Sequence, residues 1–180
     1  MNNPDKLRRF QQTVLPHLDA AHNLARWLTR NGPDAEDVVQ EAMLRAFRFF
    51  EGFRGSEARP WLLRIVRNTF YTWREQNRTA QQSCSLEEEA PEVESDDPGP
   101  PELHQQALDT RLDTQLVQRA LAELPARFRE VLVLRELEDC SYKEIAAIMS
   151  IPMGTVMSRL ARARQQLEHL LRQRLAGERP

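Results

Sequence analysis

The sequence predicts an all-α protein built as two small helical domains joined by a flexible acidic linker, the second domain containing a helix-turn-helix. Apolar residues recur at steps of three and four along the stretches of both modules. Proline and glycine punctuate those stretches at Asn31-Gly32-Pro33 and at Pro152-Met153-Gly154. Charge is divided by segment: the 180-residue chain has a formal net charge of −2, yet residues 1–79 carry +4, residues 80–109 carry −9 with no Lys or Arg, and residues 110–180 carry +3. Two basic modules therefore flank an acidic strap, and the average hides both.

In the first module (1–79), Leu7, Phe10, Val14, Leu18, Ala21, Leu24, Ala25 and Leu28 mark a long helical stretch. It is kinked or restarted near Pro16 and stops at Asn31-Gly32. Pro33 with Asp34, Glu36 and Asp37 opens the next helix, where acids suit the positive end of the helix dipole. Val38, Val39, Ala42, Met43, Ala46, Phe49 and Phe50 form its expected core side. The other side reads Asp37, Gln40, Glu41, Leu44 and Arg48, and a leucine centred in a charged face suits a protein docking surface. After the loop 52–57, a helix from about Pro60 to Arg78 is expected to bury Trp61, Leu62, Ile65, Val66, Thr69 and Trp73. Outward it presents Arg64, Arg67, Tyr71, Arg74 and Arg78, with Asn68 and Thr72 at the edge. Rings beside an arginine stripe suit single-stranded nucleic acid, since unpaired bases stack on aromatics while phosphates pair with guanidinium groups.

The strap, residues 80–109, holds four of the eleven prolines and almost no aliphatic pattern, so it is expected to be disordered. A chain of its length can reach roughly 100 Å. The second module (110–180) begins with a helix carrying Leu112, Leu116, Val117 and Leu121, and Pro125 starts the next, on which Phe128, Val131, Leu132 and Leu137 are expected to pack as core. Ser141 and Glu144 stand in capping-box register. The helix they open ends at Ser150-Ile151-Pro152-Met153-Gly154, and Pro152 suits the first turn of another. On this last helix Val156, Leu160, Ala163, Leu167 and Leu170 share one side, while Thr155, Ser158, Ala161, Arg162 and Gln165 share the opposite one. Small hydrogen-bonding side chains let a helix approach base edges, and Arg159 and Arg164 flank that face where phosphates would lie.

Other function classes find little support. Cys84 and Cys140 have no metal or disulfide spacing. No apolar run is long enough for a bilayer, and the opening MNNPDKLRRF is not followed by a secretion segment, so a cytoplasmic location without membrane insertion is expected. The four histidines are scattered and no glycine-rich phosphate loop or nucleophile motif occurs, so neither an enzyme nor a cofactor is expected.

Four blocks in this order and spacing resemble bacterial RNA polymerase sigma factors of the extracytoplasmic-function (ECF) type: DAEDVVQEAMLRAFRFFEGFRG at 34–55, WLLRIVRNTFYTWRE at 61–75, LPARFREVLVLRELEDCSYKEIAAIM at 124–149 and PMGTVMSRLARAR at 152–164. The resemblance implies that residues 1–79 dock on core RNA polymerase through Asp37, Gln40, Glu41, Leu44 and Arg48. It further implies that Phe53, Arg54, Arg64, Arg67, Asn68, Tyr71 and Thr72 engage the melted −10 strand of promoter DNA. Thr72 stands where some relatives carry a second asparagine. Residues 110–180 would read the −35 duplex, with Thr155, Ser158, Ala161 and Arg162 facing bases and Arg135, Tyr142 and Arg159 gripping phosphate. The strap would thread the polymerase interior, and an anti-sigma factor is an implied further partner. A helix-turn-helix regulator that works without polymerase would account for the second module, but not for the aromatic and basic helix at 60–78 or for Leu44.

Overall fold

The computed structural model describes residues 3–84 and 105–177, and every described element is a helix or a helical turn. The first region contains α1 (Asn3–Val14), a 3-10 turn at Leu15–His17, α2 (Leu18–Thr29), α3 (Gly32–Phe49) and α4 (Ala58–Cys84). The second contains α5 (Gln105–Glu123), α6 (Ala126–Leu132), a wide π turn at Val133–Leu137, α7 (Tyr142–Met149) and α8 (Met153–Gly177). Thus α4 and α5 both run into the acidic segment: residues 80–84 and 105–109 of the strap, expected to be disordered, are helical, while residues 85–104 lie outside the described residues.

Local chemistry explains most boundaries. Pro16 breaks the first long stretch into α1 and α2 through a 3-10 turn, because its ring excludes the preceding helical register. The stop after α2 comes one residue before the asparagine-glycine pair: Arg30 adopts the left-handed conformation at φ 62° and returns its N–H to the Arg26 carbonyl. Asn31 is needed elsewhere. Its side chain caps α3 by accepting from the Asp34 amide, with Pro33 in the first turn. The Ser141–Glu144 capping box forms at the start of α7, and Ser150, left-handed at φ 54°, ends that helix.

The core follows the 3.6-residue pattern with three corrections. Phe49, expected inside, is 61% exposed, whereas Phe50 is buried. The chain leaves α3 for a 3-10 turn at Phe50–Gly52, and the change of pitch swings the second ring inward. On α4 the most buried side chains are Leu62, Leu63, Val66, Thr69 and Phe70, while Trp61, Ile65 and Trp73 are half-buried, since this helix is packed by α2 and α3 and also by α7. Leu137, expected beneath the DNA-reading pair, is 48% exposed at the end of the π turn, whose extra residue per turn rotates it outward. Leu124, Val131, Val133, Leu134, Ile145, Ile148, Val156 and Leu160 fill the second core.

The two regions touch. Helix α7 lies against α4 and α6 against α2, so the surfaces that face nucleic acid in the sequence reading stand close to a domain boundary.

Candidate nucleic-acid interface

Helix α3 carries Asp37, Gln40, Glu41, Leu44 and Arg48 as one solvent-facing stripe, opposite the buried Ala35, Val38, Val39, Ala42 and Ala46. Leu44 is 59% exposed at the centre. Glu41 pairs with Arg45 at 2.7 Å beside it.

The loop that follows is held by rings. Phe10 meets Phe47 and Phe50 edge to face at 5.2 and 5.3 Å, Phe50 stacks on Phe53 at 6.1 Å, and Phe53 lies 4.8 Å from Trp61. Phe53 is therefore half-buried and anchors the loop. The Gly55 backbone runs so close to that ring that a Cβ there would come within 3.3 Å of it. Arg54 is exposed next to the anchor.

Along α4, Arg64, Asn68 and Thr72 are exposed, and the Thr72 hydroxyl donates to the Asn68 carbonyl at 3.0 Å. Arg67 and Tyr71 share the stripe but are only half-exposed. The Arg67 guanidinium lies 4.7 Å from the Tyr71 ring centre and Arg74 lies 5.0 Å from it. Both groups are engaged by the second region: Arg67 Nε donates to a Glu130 carboxylate oxygen, and the Tyr71 hydroxyl donates to the other at 3.2 Å. Burial, and then the Glu130 charge, pushes the Tyr71 hydroxyl above the ordinary tyrosine range.

In the helix-turn-helix, α8 turns Ser158, Ala161 and Arg162 to solvent while Val156, Leu160 and Ala163 are buried. Thr155, Ser158, Arg159 and Arg162 line a cavity of about 240 Å³ together with Arg127 and Phe128 of α6. Arg127 was not among the residues expected from the sequence. Its guanidinium rests 4.9 Å from the Phe128 ring centre at the start of α6, facing the same cavity as the recognition helix. The local run Pro125-Ala126-Arg127 marks only a helix start, so nothing in sequence spacing could have joined it to α8. Arg135 is braced by the Cys140 carbonyl at 2.9 Å and by the Tyr142 ring at 5.3 Å, which places the pair at one edge of α7. Arg164, expected to flank the base-facing surface, is tied to Glu136 at 2.6 Å.

Among the described residues no group of three or more potential metal ligands occurs, and no helix is long and apolar enough to cross a membrane.

Residues 13–79 match the Sigma-70 region 2 family and residues 114–167 the Sigma-70 region 4 family. The ECF RNA polymerase sigma factor SigE of Mycolicibacterium smegmatis is 37% identical over 163 residues; the match takes in 90% of this chain and 61% of that relative. The ECF RNA polymerase sigma-E factor of Escherichia coli K12 is 38% identical over 158 residues, which is 82% of this chain and 80% of the relative. Among solved structures, the sigma factor RpoE bound to the anti-sigma factor NepR from Bartonella quintana superposes with a TM-score of 0.70 at 32% identity, over 92% of this chain and 98% of that one. CnrH in complex with the cytosolic domain of CnrY gives 0.62 at 27% identity, over 92% and 88%. With both matched regions in order and every described element helical, the chain belongs to the ECF family of RNA polymerase sigma factors.

Proposed function

We propose that this protein binds core RNA polymerase, brings a −35-reading domain and a −10 strand-trapping domain into register, and so directs promoter recognition, melting and transcription initiation. The observation that carries this is Leu44, exposed at the centre of a charged stripe on a helix whose other face is well packed. A leucine in that setting suits burial against a large protein partner. The residue assignments are those the family resemblance implies, with Arg127 added. Asp37, Gln40, Glu41, Leu44 and Arg48 dock on polymerase. Arg54, Arg64, Asn68 and Thr72, with Arg67 and Tyr71 once freed, take the melted strand. Thr155, Ser158, Ala161 and Arg162 read the −35 duplex, with Arg127, Arg135, Tyr142 and Arg159 at its phosphates. Phe53 acts by holding the capture loop in shape.

The molecule then works in the cytoplasm beside polymerase, as a specificity subunit rather than as an enzyme. Two solved relatives carry partner proteins, one of them described as an anti-sigma factor, and a partner of that kind is proposed here too. The test is Leu44→Asp. The variant should keep its helical circular dichroism and melting temperature, lose co-purification with core polymerase, and fail in run-off transcription. Unchanged transcription would remove the docking assignment.

A further inference from the structure

We propose that the cavity between the carboxyl end of α2, the amino end of α3 and α5 binds a nucleotide carrying two or more phosphates, with Arg26 and Arg30 on the phosphates and the Trp27 ring against the base. The site shares no residue with the surfaces assigned to polymerase or to promoter DNA.

The cavity has a volume of about 460 Å³, enough for a small-molecule ligand, and no acidic side chain lines it among the described residues. Arg26 and Arg30 stand on its rim four residues apart, both exposed, and neither meets a carboxylate among the described residues. A third cation stands behind them. Arg129 of α6, 6% exposed, donates to the Trp27 and Leu124 carbonyls at 3.1 and 3.2 Å, while its Nε has no acceptor. Burial, and then the charge of Arg30, holds its guanidinium below the ordinary arginine range.

Three neighbouring guanidinium groups with no acid of their own attract an anion, and the planar fork of arginine matches phosphate oxygens with paired hydrogen bonds. One phosphate monoester carries about −1.5 to −2 near neutral pH, so a second phosphate is needed to balance three cations. The backbone favours the same occupant. Two carbonyls at the end of α2 that would repel an anion are already engaged, Arg26 by the Arg30 N–H at 2.9 Å and Trp27 by Arg129. On the facing wall the 18-residue helix α3 begins, its positive end favouring negative charge. Nothing lies within 4 Å of where a Cβ on Gly32 would stand, so an anion can approach the chain there. A plain anion would use only this half of the cavity. The half-buried Trp27 ring lines it as well, and Gln118 of α5 adds an amide that can both donate and accept. A ring to stack on and an amide for the edge are what a heterocyclic base requires.

The test is equilibrium binding by the full chain at near-physiological salt, read as the fluorescence anisotropy of N-methylanthraniloyl derivatives of ATP and GTP, with unlabelled ATP, GTP and inorganic pyrophosphate as competitors. At least one labelled nucleotide should bind saturably, and its unlabelled parent should displace it about tenfold better than pyrophosphate does, the scale of one base stacked on a ring. Arg26→Ala and Arg30→Ala, both at exposed positions that leave the core intact, should each weaken binding by about tenfold or more, as loss of a charge-assisted hydrogen bond does. Arg8→Ala, the same charge loss on the exposed side of α1, should leave binding unchanged. Trp27→Leu should weaken the nucleotide while leaving displacement by pyrophosphate unaltered, and Trp27→Phe, which keeps a ring, should restore most of the loss. Failure of both labelled nucleotides to bind overturns the proposal, as does binding that neither arginine substitution weakens. Equal displacement by pyrophosphate and by the parent nucleotide also overturns it, since the cavity would then hold an anion without reading a base.

Discussion

Arg162 is exposed on the recognition helix, at the rim of a cavity it shares with Arg127, Thr155 and Ser158. A guanidinium there can pair with a guanine edge, so Arg162→Ala is predicted to lose about 1–3 kcal/mol of discrimination between matched and mismatched −35 duplexes, measured with holoenzyme. Equal loss on every duplex would mark a phosphate contact instead. Arg127→Ala should give that uniform loss together with a shallower salt dependence. Cys140 belongs to the same scale and has a simpler fate. Burial pushes its thiol up to about 11, so it stays protonated near neutral pH and is a poor nucleophile. In a Cys84→Ser background, thiol reagents should leave the native protein unlabelled and modify it only on unfolding; rapid native labelling would contradict the buried placement. Single residues are also where sequence reading reached its limit. Leu44 was legible because a leucine in a charged stripe is anomalous by itself. Glu130 looked like one acid among many, and its significance arises only when a helix 59 or more residues away lies against it.

Elements were legible wherever the deciding chemistry lies within a few residues. The Ser141 box and the break at Pro16 each depend on side chains within one turn of the backbone group they satisfy or displace, whereas Asn31, read as the end of the preceding helix, caps α3 instead. Ser141→Ala is accordingly predicted to destabilise the second region by about 1 kcal/mol, visible as a lowered melting temperature. Acid should act through the same cap. Hydrogen bonding from the Ser141 amide holds the Glu144 carboxyl below its ordinary range. Its contribution is therefore complete above that range and is lost as pH falls through the lowered value. A Glu144→Gln variant should have a flatter dependence of stability on pH over that acidic window, and an unchanged slope would show that the box contributes nothing. Where elements deviated, the reason was a change of helical pitch that side-chain periodicity does not announce. The 3-10 turn after α3 leaves Phe50 buried as expected but Phe49 exposed, and the π turn after α6 sends Leu137 outward.

At the scale of the whole molecule, the division into two basic helical regions was readable from charge and pattern, because each region repeats its own core periodicity. Their contact was not, since the pairs that join them span sequence separations of 59 to 115 residues. By the proposed function neither region is competent alone: each has only modest positive charge, and a polymerase scaffold raises the effective concentration of the second DNA contact once the first has formed. The most direct measurement compares promoter binding by the purified chain with and without core polymerase, on the same duplex and at near-physiological salt, with permanganate reactivity reporting unpaired thymines. The chain alone should give neither specific retention nor melting, and addition of core enzyme should give both. Tight, sequence-specific binding by the chain alone, unaltered by polymerase, would show that the two regions need no scaffold.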